Sequence, residues 1–406
     1  MKYYLLPLAL LIACGTAKNE KHSNKVQDSE SKEEKVSNKS YGLTSSDVQW
    51  MREATLKQLE GCRIEGPNGV WLHTPDGVAN YKAQWTRDTY YFIEYAGDLL
   101  GQDYAKAAID YLLNGQREDG CIPDRVNTKG KPIYSPGGES KPMADHALDN
   151  GPFMALMVCS YLDQYEDEGY FSQVEPKLRK GLDHVNRAEN GLVFNDPSSP
   201  ECVYGFTDIV KKTGNLLFSS LIYYDACMHM ERYCKKTNTG DAEEYRRRAD
   251  LIRGNIGILW NKESGMFWAA DQNNKQIDIW GSALAIDVGI ANSEQTEKIT
   301  DYLIANYDQI AQRGQFRHLP GSDAHWQELF HDCEVGTYQN GAFWATPLAW
   351  IVPVIAKRNR KKAEEIVKTV IGDFQTNGIN ECVNEEYVKV PNFVASATNV
   401  YALTKP

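Results

Sequence analysis

The chain has 406 residues, of which 42% are hydrophobic and 24% are charged, a composition typical of a globular protein with a large core. Its 44 basic and 55 acidic side chains leave a net charge of −11. The only basic block, residues 358–362, is short. This charge distribution argues against nucleic acid as a partner.

The first fourteen residues, M-K-Y-Y-L-L-P-L-A-L-L-I-A-C, place one lysine before a short apolar run. The run is too short to span a bilayer and fits the core of a signal peptide. Its end, L-I-A-C, resembles the lipobox of bacterial lipoproteins, in which the cysteine is acylated. We therefore interpret residues 1–14 as a lipoprotein signal peptide and Cys14 as the lipidation site. The alternative is an ordinary signal peptide with an incidental cysteine.

Residues 15–45 consist mainly of Lys, Asn, Ser and Glu, with few large apolar side chains. Such a segment cannot offset the entropy of ordering by burial, so it is predicted to be a disordered tether. By the flexible-coil relation it would hold a domain of residues 46–406 roughly 30 Å from the anchor. The protein is expected to be exported and lipid-anchored at the periplasmic or cell-surface side of a bacterial membrane.

Eight cysteines remain after Cys14, and none forms a C-x-x-C motif, which argues against a zinc ribbon or a thioredoxin-like site. Cys159, Cys227 and Cys234 lie in apolar helical patterns and are interpreted as packed thiols. Two disulfide pairings stay open for an exported protein: Cys62–Cys121 and Cys202–Cys382.

A 3.6-residue period of apolar side chains dominates from residue 45 onward and predicts twelve helices. Their predicted bounds are 47–60, 87–100, 102–115, 151–166, 171–189, 214–236, 241–260, 279–292, 294–309, 341–356, 360–375 and 393–403. The even-numbered helices begin near Thr86, Asn150, Thr213, Asp278, Asn340 and Asn392. These starts are 62 to 65 residues apart, except for a last interval of 52, which indicates a repeated helical hairpin.

Alternate helices differ in character. Segments 151–163, 216–230 and 342–355 are apolar on nearly every face, whereas 360–375 has one apolar stripe opposite Lys and Glu. A helix that is apolar all round must be buried on all sides. Six hairpins with buried inner helices therefore predict an all-α (α/α)6 toroid. An open helical solenoid is the alternative, and its inner helices would be amphipathic.

Every even-numbered helix is preceded by a loop rich in Trp, Tyr, Asp, Asn or Glu. Because the inner helices of a closed barrel run in one direction, these loops are expected to converge on one rim and form a binding site. Aromatic rings pack on pyranose faces and carboxylates bind hydroxyls, so an oligosaccharide substrate is predicted. The predicted substrate-binding residues are Trp85, Arg87, Asp88, Asp149, Asn150, Phe206, Asp278, Trp280, Tyr338, Gln339, Asn340 and Trp344.

Four motifs occur in order along the chain: R-D-T-Y-Y at 87–91, Y-G-F-T-D at 204–208, Y-Q-N-G-A-F-W at 338–344, and N-E at 380–381 followed by S-A-T-N at 396–399. The set resembles inverting glycosidases of the six-hairpin group, such as trehalases, processing α-glucosidases and the glucosidase domain of glycogen-debranching enzymes. Ala397 and Ala402 depart from that pattern, where Trp and Gly are expected.

This resemblance implies an exo-acting, inverting hydrolase of α-linked oligosaccharides. Asp208 would be the general acid and Glu381 the general base, with Glu385 and Glu386 as competing candidates for the base. No cofactor is expected. No metal site is expected either, because His325 and His331 are six residues apart and do not share a helical face.

Several residues also have a structural interpretation. Asp88, Asp149 and Asp278 stand at helix starts, where a carboxylate can cap free backbone N–H groups; capping or binding of sugar hydroxyls is favoured over catalysis for them. Three tryptophans beside rim residues are interpreted as sugar platforms: Trp85, Trp280 and Trp344. Three others are assigned to the core: Trp71, Trp268 and Trp326.

Three other functions remain open at this point. A sugar epimerase on the same barrel would need two facing histidines, and only His146 lies at the start of an inner helix; an unsaturated-uronide hydrolase would need more basic residues than Arg87. A non-catalytic glycan-binding lipoprotein would keep the aromatic residues without needing opposed acids. The sequence leaves the sugar, the linkage and the oligomeric state open.

Overall fold

The computed structural model describes residues 41–323 and 325–405. The predicted signal peptide, the lipidation site Cys14 and most of the predicted tether lie outside these residues. Within them the helices are α1 (Ser45–Gly61), α2 (Thr86–Leu100), α3 (Gln102–Leu113), α4 (Asn150–Tyr165), α5 (Glu168–His184), α6 (Leu217–Thr237), α7 (Ala242–Asn255), α8 (Ile279–Asp287), α9 (Ser293–Ala305), α10 (Tyr307–Ile310), α11 (Leu348–Arg358), α12 (Arg360–Asn377) and α13 (Val394–Ala402).

Six helices form a closed inner ring. In ring order they are α2, α4, α6, α8, α11 and α13; each packs against the next, and α13 packs against α2. Outside them lie α1, α3, α5, α7, α9 and α12, each packed on the ring. The contact between the first and last inner helices confirms the all-α (α/α)6 toroid and excludes the open solenoid.

Burial follows the apolar patterns that the sequence shows. In α4 every residue from Asn150 to Leu162 is buried, as expected for a helix enclosed on all sides. The outer helix α12 instead buries one stripe that includes Ile366, Val370 and Phe374. Burying each such side chain contributes about 1.5–3 kcal/mol. The outer helix α12 therefore packs on the inner ring through one face.

Short antiparallel strands shape the loops between helices. Two-stranded ladders pair Arg63–Glu65 with Trp71–His73, Gly137–Gly138 with Lys141–Pro142, Phe194–Asn195 with Gly214–Asn215, Trp260–Asn261 with Met266–Phe267, Ala311–Gln312 with Gln315–Phe316, and Asn380–Asn384 with Tyr387–Pro391. A three-stranded sheet joins Ala83–Trp85, Arg125–Asn127 and Pro132–Ile133. These ladders hold the segments that enter α2 and α13 in fixed positions.

The tenth predicted helix begins later than expected. It was predicted over 341–356, but α11 starts at Leu348. Gly341 has φ of 114°, outside the helical region, and the next residues run extended. The backbone N–H groups of Phe343 and Trp344 bond the carbonyls of Val383 and Phe316, each at about 2.8–2.9 Å. Tertiary backbone pairing therefore replaces helical hydrogen bonds at an apolar segment.

The ordered domain also starts earlier than the predicted boundary at residue 46. Tyr41 and Leu43 are buried against the core, and the Arg360 guanidinium lies 4.2 Å from the centre of the Tyr41 ring. Apolar burial of two side chains is enough to order this end of the predicted tether.

The eight cysteines of the described residues are free thiols, and neither open pairing forms a disulfide. Cys159, Cys227 and Cys234 are buried, which confirms that they are packed thiols. Among the described helices, none combines the length and apolarity that crossing a membrane requires.

Asp225 is an acid in the middle part of the inner helix α6. Desolvation raises the pKa of Asp225 to about 7, against the attraction of the Arg232 charge. The Asp225 side chain is 26% exposed, and its Oδ1 lies 3.6 Å from His229 Nε2. The folded protein therefore opposes ionisation of Asp225.

We expect Asp225→Asn to stabilise the protein at alkaline pH only. A carboxyl with a folded pKa near 7 and an ordinary unfolded pKa lowers stability as pH rises from about 4 to 7. The substitution should raise Tm at pH 8 by roughly 1–3 °C and leave Tm unchanged at pH 4. Thermal unfolding at both pH values checks this, with the exposed Glu386→Gln as control. Equal shifts at both pH values would contradict it.

Candidate active site

A cavity of about 370 Å³ opens where inner helices begin; we call it the cup. Its lining residues are Pro75, Tyr81, Trp85, Arg87, Asp88, Phe206, Asp208, Tyr338, Glu381 and Phe393. They come from the segments that enter α2, α6, α11 and α13. The expected convergence of these loops on one rim is thus observed for four of the six hairpins.

Asp208 follows the 3-10 turn Gly205–Thr207 and is 7% exposed at the cup wall. Its Oδ1 accepts a hydrogen bond from Gln339 Nε2, and Gln339 Oε1 accepts one from the Ile209 N–H at 3.0 Å. Burial raises the pKa of Asp208 to about 7, against the opposing effects of the Arg87 charge and the Gln339 hydrogen bond. The carboxyl can therefore hold a proton near neutral pH.

Glu381 lies in the strand Asn380–Asn384 and is 2% exposed. The Tyr81 hydroxyl donates to both carboxylate oxygens, at 3.0 and 3.1 Å. Burial raises the pKa of Glu381 well above its ordinary range, while the Tyr81 hydrogen bond and the Lys389 charge favour the ionised form. Glu381 is thus oriented by one donor and faces the same cup as Asp208.

Sequence reasoning missed Tyr81, which a turn places beside Glu381. The buried Asp76 carboxylate accepts the backbone N–H groups of Val78, Asn80 and Tyr81, each at 2.9 Å. The Pro-Asp-Gly run at 75–77 is a recognisable turn signal. Nothing local to Tyr81 shows that this turn carries it to a strand 300 residues away along the chain.

Arg87 is the buried centre of the rim. Its guanidinium lies 2.5 Å from Asp124 Oδ1 and 3.4 Å from Asp149 Oδ1, and it donates to Asn150 Oδ1 at 2.9 Å. Asp149 and Asn150 therefore bind the Arg87 guanidinium but do not line the cup. The carboxylate of Asp149 makes no capping hydrogen bond to α4, so the capping interpretation is wrong for this residue.

Two buried polar atoms of cup residues have no hydrogen-bond partner among the described residues: Asp88 Oδ1 and Trp85 Nε1. Burial raises the pKa of Asp88 to about 7, against the attraction of Arg87. Buried polar groups are almost always paired in folded proteins. An acceptor and a donor without partners, on two residues that line the cup, are groups that a hydroxyl-rich ligand could satisfy.

Two predicted rim residues at the start of α8 lie away from the cup. Asp278 caps the helix, its Oδ1 accepting the Gly281 N–H at 2.8 Å, which confirms the capping interpretation. Trp280 is fully buried and stacks on His318 with ring centres 3.6 Å apart. It cannot be a sugar platform because no face of the indole is exposed.

Two further predicted residues form the wall behind Tyr338. Asn340 accepts from the Trp326 N–H at 2.9 Å and donates to the Cys333 carbonyl at 2.8 Å. Trp344 is fully buried and its indole N–H donates to the Tyr338 carbonyl at 3.3 Å, so it too is no platform.

Of the predicted platforms, Trp85 alone lines the cup. Trp326 belongs to the core, as expected, whereas Trp71 is 48% exposed and does not.

The competing candidates for the base are placed elsewhere. Glu385 and Glu386 are exposed in the turn between the strands Asn380–Asn384 and Tyr387–Pro391, and neither lines the cup. The structure therefore brings Glu381 alone of the three to Asp208.

One group of side chains has the composition of a metal site: Asp145, His146 and Glu201, with possible ligand atoms within 4.8 Å of one another. These groups already have partners. Arg117 donates to Asp145 Oδ2 at 3.1 Å, and Glu201 Oε2 accepts the backbone N–H groups of Asp145 and His146. The group joins two rim loops, and the nearby guanidinium opposes a cation.

Outside the cup lies a second cavity of about 1040 Å³, which we call the vestibule. It shares Tyr81, Trp85, Asp208 and Tyr338 with the cup. Its other lining residues include Lys82, Arg125, Glu139, His331 and Lys389. A ligand could therefore extend from the cup past Asp208 into the vestibule.

No family model and no curated protein sequence matches the chain. Solved structures do. A GH63 mannosylglycerate hydrolase from Thermus thermophilus in complex with glucose is 14% identical, with a TM-score of 0.65 over 87% of this chain and 100% of that one. A rhamnosidase from Klebsiella oxytoca with rhamnose bound is 12% identical, with a TM-score of 0.64 over 89% of this chain and 64% of that one. A glycosidase in complex with glucose is 11% identical, with a TM-score of 0.64 over 89% and 98%. The chain is thus similar in fold to helical-barrel glycosidases.

We expect Arg87→Met to destabilise the protein strongly, because it removes a buried cation that pairs with Asp149 and shares Asp124 with Arg125. Removing one partner of a buried ion pair costs roughly 3–5 kcal/mol of unfolding free energy. Arg358→Met is the matched control, since Arg358 is 53% exposed and pairs with Asp301 at 3.2 Å; it should cost less than about 1 kcal/mol. Urea unfolding measures both. Similar losses would contradict the central role of Arg87.

Proposed function

We propose that the protein is an exo-acting, inverting glycoside hydrolase of α-linked oligosaccharides. The observation that carries the proposal is that two buried carboxyls, Asp208 and Glu381, line one small cup. Glycosidic cleavage uses such a pair, one as acid and one as base. The similarity in fold to glycosidases with glucose or rhamnose bound supports the same conclusion.

In the proposed reaction Asp208 donates its proton to the glycosidic oxygen as the bond to the anomeric carbon breaks. Glu381 removes a proton from a water molecule, whose oxygen forms the new bond to that carbon. The electron pair of the broken bond stays on the leaving oxygen, which departs as an alcohol. A proton on Asp208 near neutral pH, as its raised pKa allows, is what the first step needs.

The positions of the two acids in the ring favour inversion. Asp208 precedes α6, the third inner helix, and Glu381 precedes α13, the sixth, so they enter from opposite sides of the cup. Opposed carboxyls favour the separation of roughly 6.5–9.5 Å that leaves room for a water molecule, over the roughly 5 Å of a retaining pair. Tyr81 would hold Glu381 towards that water.

The size and chemistry of the cup suit a terminal sugar. The cup is small, with about 370 Å³ of empty space that includes part of the open solvent at its mouth. The open atoms on Asp88 and Trp85 would bind hydroxyls of that sugar, and Phe206 and Tyr338 would contact its faces. The wider vestibule would take the leaving group, which is the arrangement of an exo-acting enzyme.

The epimerase alternative is less well supported, because no histidine lines the cup among the residues that the structure describes. His146 lies in the loop with Asp145 and Glu201. A glycan-binding protein without activity would not need two buried acids that face one another across the cup.

We expect Asp208→Asn to lower turnover by roughly 10²–10⁴ on disaccharides, the usual contribution of a general acid. Activated aryl glycosides should lose less, because their leaving groups need little protonation. Wild-type activity should fall on the alkaline side as Asp208 ionises, and the Asn variant should lack this decline on aryl substrates. Steady-state kinetics across pH test both points. Wild-type turnover of a disaccharide by the variant would remove Asp208 from the mechanism.

The proposed geometry also predicts the anomeric configuration of the first product. An α-glycoside should release the β-anomer first, which proton NMR of the anomeric signal shows within minutes. Glu381→Gln should lose turnover by roughly 10²–10⁴, and azide, which needs no base, should restore it with an inverted glycosyl azide as product. Glu385→Gln and Glu386→Gln are matched controls outside the cup and should keep activity. Early appearance of the α-anomer would overturn the assignment of acid and base.

A further inference from the structure

Charge is distributed unequally between the cup and the vestibule. The cup carries the acids Asp88, Asp208 and Glu381 and one cation, Arg87. The vestibule adds three cations, Lys82, Arg125 and Lys389, and one acid, Glu139. This local excess of positive charge stands out in a chain whose net charge is −11.

The two lysines of the vestibule are available to a ligand. Within residues 41–323 and 325–405, neither Lys82 nor Lys389 makes an ion pair. Lys389 is half-buried with its Nζ 4.8 Å from the centre of the Tyr338 ring, and its charge acts on Glu381. The acid of the vestibule is already engaged, since Glu139 Oε2 lies 3.2 Å from Lys131 Nζ. No acid of the vestibule other than Asp208 is left for the lysines.

Arg125 extends this positive wall. Its guanidinium lies 4.5 Å from the centre of the Trp85 ring, which also lines the cup. It donates to Asp124 at 2.8 Å and to the carbonyls of Ser135 and Gly137. Arg125 is therefore fixed in place beside the passage from cup to vestibule, while Lys82 is exposed and can move towards a ligand.

Arg87, the cation of the cup, is not free to bind a ligand. Arg87 is 3% exposed and is held by Asp124, Asp149 and Asn150. The remaining charged groups of the cup are acids. A sugar that carries a carboxylate would meet these acids without a free cation, so the cup suits a neutral sugar.

From this contrast we propose that the enzyme acts on glycosides whose leaving group is anionic: a neutral sugar in the cup, joined to an acidic aglycone held by Lys82 and Lys389 in the vestibule. The inference rests on the proposed hydrolytic function and adds the substrate class. Both lysines are specificity residues in it, and neither takes part in bond cleavage. The shared chemistry of the aglycone is a negative charge, as in a carboxylate or a phosphate.

The test compares two substrates that differ in this charge alone. They are α-glycosides of 4-hydroxybenzoic acid and of 4-(hydroxymethyl)phenol, with the sugar that the protein cleaves from 4-nitrophenyl glycosides. The readout is the ratio of kcat/KM for the acidic over the neutral substrate. We expect this ratio to be about 5–10 in the wild type at low salt and to fall towards 1 at high ionic strength, as screening weakens exposed charge pairs.

Lys82→Gln and Lys389→Gln should each lower the ratio about threefold, and the double variant about tenfold, as expected for one or two partly exposed ion pairs. The ratio is used because Lys389 also acts on Glu381, which would change both substrates alike. Lys298→Gln is the matched control, because Lys298 is paired with Glu294 and neither residue lines either cavity. A 4-hydroxyphenyl phosphate glycoside separates a general preference for anions from one for carboxylates.

The outcomes separate the two proposals. Hydrolysis of both substrates with a ratio near 1, or with a ratio unchanged in the double variant, overturns the anionic aglycone and leaves the hydrolase intact. Hydrolysis of no glycoside by the wild type, with Asp208→Asn equally inactive, overturns the hydrolase and this inference together.

Discussion

The buried ion cluster around Arg87 is the interaction on which the rest of the site depends. Arg87 stands in the first turn of α2 and joins Asp124, from the three-stranded sheet region, to Asp149 at the start of α4. Burying these charges is costly unless each has partners with good geometry. Mutual pairing meets that requirement and fixes the rim where the first two inner helices begin.

Burial makes the Arg87 charge energetically unfavourable, and it also raises the pKa values of the neighbouring acids. Desolvation raises the pKa of Asp88 and of Asp208 to about 7, and the Arg87 charge keeps either from rising further. Glu381 is raised by burial as well, with Tyr81 favouring its ionised form. A single low-dielectric cup thus holds carboxyls that exchange protons near neutral pH, which is what general acid–base catalysis requires.

The cup and the vestibule differ in size and in charge. The cup is small and acidic, whereas the vestibule is wider and carries Lys82 and Lys389. Asp208, Tyr81, Trp85 and Tyr338 belong to both. A bond placed beside Asp208 would therefore have a sugar on one side and a leaving group of different charge on the other.

The apolar pattern of the chain predicts the all-α (α/α)6 toroid, because six apolar helices at a regular interval can be buried only inside a second ring. The sequence also placed Asp208 and Glu381 correctly on one rim, since every inner helix begins at the same end. It could not show that Trp280 and Trp344 are covered, that Asp149 serves Arg87, or that Tyr81 contacts Glu381. Those facts depend on contacts between residues far apart along the chain, and only the tertiary structure decides which side of an aromatic ring or carboxylate remains open.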